Sequence, residues 1–162
     1  MTRDKAKTCC FTGHRTIPKS QFGLIRANLA RAIGALYEKG YRHFVAGGAI
    51  GFDTMAASLV LAYKKHYPDI TLTLMLPCAN QSVKWSEEEK AVYEAQKNAA
   101  DEVICLSSYY YDGCMQKRNQ AMVDVSSACI AYLTHPRSGA GQTVRMAENA
   151  ALTVIHVAPL GE

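Results

Sequence analysis

The sequence is short of several things, and each shortage excludes something. No apolar run approaches the ~20 residues of a membrane-spanning helix, so no membrane partner or span is expected. The polar opening MTRDKAK lacks the pattern of a secretory leader. None of the six cysteines stands in a CxxC pair or has histidines at zinc spacing, so neither a metal site nor a disulfide framework is expected. Four of them, Cys9, Cys10, Cys105 and Cys129, fall in strand-like runs. That placement reads as reduced, mostly buried thiols in a cytoplasmic protein. Charge is nearly balanced: 18 Lys and Arg against 14 Asp and Glu leave +4, too little alone to imply nucleic acid. No linker, repeat or low-complexity segment interrupts the 162 residues, which predicts one domain over 1–162.

What is present is a regular alternation. Short, continuous apolar runs occur at Thr8–Thr12, His43–Gly47, Thr71–Leu76, Glu102–Leu106, Ala128–Leu133 and Thr153–Val157, as strands buried on both faces do. Helical segments lie between them. The first is capped at Ser20, carries Phe22, Ile25, Leu29, Ile33 and Leu36 on one face, and closes at Gly40. The others run from about Asp53 to His66, from a capping box of Ser86 and Glu89 (or from Ser82), from Cys114 to Asp124, and from Gln142 to Ala150. This order predicts an α/β, Rossmann-like three-layer domain with a mainly parallel sheet of about six strands. Ligands of such sheets bind beyond the carboxyl ends of the strands, so the βα turns are where function should sit.

The first turn, TGHRTIP, runs Thr12 and Gly13 into His14 and Arg15, two potentially cationic side chains. It is either a surface turn or one wall of an anion site. The second, AGGAIGFDT, holds Gly47, Gly48 and Gly51 before a helix whose start carries Asp53. Its backbone N–H groups suit an anion, and Asp53 is either a helix cap or a partner for a ribose hydroxyl. In the third, Trp85 either covers a base or packs in the core. In the fourth, Tyr109 to Tyr111 suit base stacking or a subunit contact, and Asn119, beside Arg118 on a helix, implies a specific hydrogen bond. The fifth places Ser138, Gly139, Gly141 and Thr143 before or within a helix start, either a phosphate cradle or a simple cap.

In their order along the chain, CCFTGHR, GGAIGFDTMAA, KRNQAMVDVSS and SGAGQTVRMAEN resemble the YpsA-like family of the SLOG superfamily, over Thr8 to about Val157. The resemblance implies a Rossmann-like fold with a pocket for a nucleotide or nucleotide-derived sugar phosphate. Lonely Guy phosphoribohydrolases, also of that superfamily, carry P-G-G-x-G-T-x-x-E. Here Gln142 is inserted between Gly141 and Thr143, Met146 stands in the place of the glutamate, and Glu148 falls on another helix face. N-glycosidic cleavage needs a carboxylate. DNA-processing A proteins, the other relatives, bind single-stranded DNA.

The expected site therefore has Thr12 to Arg15 as one wall, with Asp53 nearby. Gly47 to Gly51 and Ser138 to Thr143 supply donors, Arg118 and Asn119 close the pocket, and Trp85 or a tyrosine covers a base. The leading expectation is a sensor or regulatory module for a small nucleotide-type ligand, without a further cofactor. Cleavage of an N-glycosidic bond and single-stranded DNA binding are the alternatives. The apolar helix faces suit a homo-oligomer as well as a core.

Overall fold

The computed structural model describes residues 4–158. The first three residues of the polar opening lie outside them. A short 3-10 turn over Lys5–Lys7 comes first. Six strands then alternate with five helices: β1 Thr8–Gly13, α1 Lys19–Glu38, β2 His43–Ala46, α2 Phe52–His66, β3 Thr71–Leu76, α3 Glu87–Ala99, β4 Glu102–Cys105, α4 Cys114–Asp124, β5 Ala128–Tyr132, α5 Gly139–Asn149 and β6 Thr153–His156. The strands form one sheet in the order β4-β3-β2-β1-β5-β6, and every pairing is parallel.

The apolar strand runs alternate between two cores. Cys9, Phe11, Phe44, Leu72, Leu74 and Ile130 face α1, α2 and Tyr93 of α3. Cys10, Val45, Met75 and Cys129 face Met122 and Val123 of α4 and Ala147 of α5. Side chains on both sheet faces are thus removed from water, which is why these strands lack polar alternation. The two edge strands are the exceptions: β4 exposes Val103 and Cys105, and β6 has no fully buried residue. Cys105, on an edge strand, is the exposed one among thiols expected to be mostly buried. The other five cysteines are buried, and all six are free. Among the described residues no helix is long and apolar enough to cross a membrane.

Two helix starts differ from the sequence expectation. Helix α1 is entered from Pro18, not Ser20. The fixed proline φ of −56° leads directly into the first turn, where Gln21 N–H donates to the Pro18 carbonyl. Helix α5 begins at Gly139, three residues before Gln142, because the Ser138 hydroxyl caps a first turn that holds two poor helix formers, Gly139 and Gly141. The capping box of Ser86 and Glu89 forms as expected.

The chain steps outward from β1 to β4, then crosses back to place β5 on the other side of β1. The loops after β1 and β5 consequently diverge, opening a crevice at the topological switch point.

Candidate functional site

A cavity of about 250 Å³ occupies that crevice. Thr12, Gly13, His14 and Arg15 line it from the end of β1, and Asp53 from the first turn of α2. Met115, Arg118, Asn119 and Met122 line it from α4, and Ser138, Gly139 and Ala140 from the start of α5. The four α4 residues follow an i, i+3, i+4, i+7 spacing and so share one helix face. That periodicity is the signal that would have added Met115 and Met122 to the expected residues.

Arg118 is 5% exposed, and each of its guanidinium nitrogens has a protein partner, with Nη2 reaching Met115 Sδ at 3.8 Å. Nη1 donates to the Gly47 carbonyl at 2.5 Å and Nε to Asn119 Oδ1 at 2.8 Å, the specific bond that Asn119 implied. Asp53 is 6% exposed and accepts from the Ala49 N–H at 3.3 Å. Burial raises its pKa above the usual carboxylate value, while the Arg118 charge, the Ala49 amide and Arg15 pull it back. Arg118 is shifted down by the same desolvation, which the Asp53 charge opposes. Gly47 is what lets the two groups approach. A Cβ there would stand 2.5 Å from Arg118 Nη1 and 2.8 Å from Asp53 Oδ2.

His14 is not a second cation. Its Nε2 accepts from the backbone N–H of Thr134 at 2.8 Å and of His135 at 3.3 Å, which leaves the proton on Nδ1. Burial lowers its pKa, and the neighbouring His135 lowers it further. A base depressed in the fold contributes stability above its unfolded pKa, about 6.5, and that contribution is lost as pH falls through the folded value. The melting temperature should therefore drop between pH 7.5 and pH 5. His14→Gln, which keeps an acceptor but cannot titrate, should drop less. Equal drops in the two proteins would remove His14 as a source of acid sensitivity.

The glycines divide by what they touch. Gly139 and Ala140 open α5, and their N–H groups have no acceptor within the helix. The Gly141 N–H is already taken by Ser138 Oγ at 3.0 Å, and that hydroxyl donates to the His135 carbonyl. Gly141 itself faces Pro136, and Thr143 is fully buried with Oγ1 donating to the Gly139 carbonyl, so neither lines the cavity. In the second turn, donors also point inward: Phe52 N–H goes to the His14 carbonyl and Ala49 N–H to Asp53. Gly48 faces Leu76, Gln81 and Tyr93, and Gly51 faces the Arg15 backbone. Trp85 stands edge-on to Tyr93, 5.0 Å between ring centroids, and lines an adjoining cavity together with Tyr110. Glu148 is exposed near the far end of α5, so Asp53 is the carboxylate of the cavity. Among the described residues no cluster of three or more His, Cys, Asp or Glu could hold a metal ion.

A doubly wound parallel sheet with its crevice at the switch point places the molecule among Rossmann-like α/β proteins. The chain belongs to the YspA SLOG family, whose model matches residues 10–153. It is 36% identical over 114 residues to the uncharacterized SPbeta prophage-derived protein YoqJ of Bacillus subtilis (strain 168), covering 63% of this chain and 66% of that protein. It is 28% identical over 117 residues to a UPF0398 protein of Halalkalibacterium halodurans, covering 71% and 62%. The chain thus spans just under two thirds of these relatives' length. DNA processing protein A from Streptococcus pneumoniae shares the fold, with a TM-score of 0.67 at 15% identity over 94% of this chain and 50% of that one. So does DNA processing protein A from Helicobacter pylori, described for its single-stranded DNA binding mode, with a TM-score of 0.65 at 21% identity over 98% and 69%. The structural-genomics target TM1055 aligns with a TM-score of 0.59 at 14% identity over 91% and 72%.

Proposed function

We propose that the crevice binds the phosphate of a nucleotide or nucleotide-derived sugar phosphate, and that the protein works as a sensor or regulatory module. The observation that carries this reading is how the polar groups of the cavity are used. Arg118, Asp53, His14 Nε2 and Ser138 are engaged by internal partners. Arg15 is an exposed cation lining the cavity, and Gly139 and Ala140, the first residues of α5, line the same cavity. An arginine and a helix N-terminus lining one cavity make a binding arrangement for a phosphate. It contains no base–nucleophile pair.

Arg15→Ala should weaken binding of a nucleoside monophosphate at least tenfold by calorimetry while leaving the melting temperature unchanged. Affinity equal to the wild type would take Arg15, and with it this reading, out of the crevice. Chromatography of the same mixtures tests the hydrolytic alternative, in which Asp53, holding its proton more tightly than usual, would act as the acid.

Single-stranded DNA is the second reading. The exposed Tyr109 and Tyr110 favour it, as does the fold shared with DNA processing protein A. Binding through several phosphates would weaken steeply with salt, whereas a single nucleotide would show a shallow slope.

A further inference from the structure

Two further cavities flank the central one. One of about 550 Å³ shares Arg15 and Met115 with it and is walled by Trp85, Tyr110, Gln81 and Lys84. The other, of about 650 Å³, shares His14 and Arg15 and is walled by Tyr132, His135 and Gln21. Arg15 is common to all three. The central space falls below the ~300–1,000 Å³ typical of a whole small-molecule site, whereas each flank falls within it. Each flank also carries a ring on which a heterocycle can stack: the exposed Tyr110 beside the half-buried Trp85 in one, and the exposed His135 in the other, where the Gln21 side-chain amide can hydrogen-bond the heterocycle's edge.

We infer that the ligand is a dinucleotide, with two nucleoside ends in the aromatic flanks and the bridging phosphates held at Arg15 between them. The inference rests on the nucleotide reading above and deepens it. A mononucleotide would fill one flank and leave the other to water. A 5′,5′-linked dinucleotide carries a short anionic bridge between two planar ends, the same sequence of chemistries that the three cavities present. A nucleic acid strand needs a succession of cations along its backbone. The three cavities offer Arg15 and Lys84, with Arg118 engaged by protein partners. Joining two ends that each bind weakly raises affinity by making the second contact intramolecular.

Calorimetry, run in parallel at low and at high salt, tests this with three probe sets: the four ribonucleoside 5′-monophosphates, their symmetrical 5′,5′-dinucleoside diphosphates, and oligo(dT). At least one dinucleotide should bind ten times or more tighter than its mononucleotide. Tyr110→Ala and His135→Ala, both changes at exposed side chains, should each reduce that dinucleotide to about mononucleotide affinity, and Arg15→Ala should weaken both probes. Equal affinity for mono- and dinucleotides would overturn the two-armed ligand while leaving the nucleotide reading standing. No binding of either would overturn both. Binding of oligo(dT) alone, with a steep salt slope, would overturn the inference in favour of nucleic acid.

Discussion

Arg118→Ala is expected to lower the stability of the fold by about 1–3 kcal/mol, the usual cost of leaving a buried polar group without its hydrogen-bond partner. The change strips the Gly47 carbonyl of its donor and leaves the Asp53 carboxylate without the cation that opposes its desolvation. Urea denaturation should show the midpoint falling with an unchanged slope. The double replacement Asp53→Leu with Arg118→Met should recover most of the loss, because it removes the stranded charge along with its partner. A pH series supplies an independent readout. Asp53 has a raised pKa in the fold, so its contribution is present below the unfolded value, near 3.9, and is lost as pH rises through the folded one. Without Arg118 to pull that value down, the loss should extend to higher pH. A penalty under about 1 kcal/mol would mean that water reaches Asp53 and that the pair does not organise the floor of the crevice.

Gly51→Ala should be comparably damaging for a different reason. Gly51 caps α2 with φ of +83°, a conformation that side chains disfavour. An added Cβ would also lie 2.2 Å from the Arg15 carbonyl oxygen, a backbone atom that cannot swing aside. Each effect costs about 1–3 kcal/mol. Relief requires the first turn to lift off α2, which would break the bond from Phe52 N–H to the His14 carbonyl. The variant should therefore lose melting temperature and, on the function proposed above, nucleotide affinity with it. Gly23→Ala, inside α1 with nothing within 4 Å of its Cβ, should instead stabilise by about 0.5–1 kcal/mol. A Gly51→Ala protein that melts with the wild type would show that the two turns do not bear on each other.

The four inner strands were legible because burial on both faces leaves an unbroken apolar run. All six expected runs overlap the observed strands, and Thr71–Leu76 matches in full. Helix α4 was also legible to the residue, bounded by Gly113 before it and Val125 after it. The start of α5 was not, because two glycines with poor helix propensity disguise a first turn that the Ser138 cap holds in place. The site was legible as a neighbourhood and less so in detail. A glycine-rich turn reads the same whether its glycines admit a ligand or admit another stretch of chain. Gly51 against Arg15 and Gly141 against Pro136 are of the second kind, and contacts between distant segments decide the matter. His14 likewise reads as a potential cation, its charge open, until the Thr134 and His135 amides, remote in sequence, take its Nε2.

The pairing of β1 with β5 has a consequence for how the chain comes together. Cys9 lies beside Ala128 and Gly13 beside Tyr132, so the strand that forms the first wall of the crevice gains its second neighbour only when a segment far along the chain arrives. Parallel pairing of this kind closes long loops before the contacts that reward closure exist, which slows folding. During synthesis, β1 to β4 can assemble while one edge of β1 still lacks its partner, and the residues that form the crevice are separated until β5 docks. The crevice should therefore take shape late and in a single step, only once the sheet is complete.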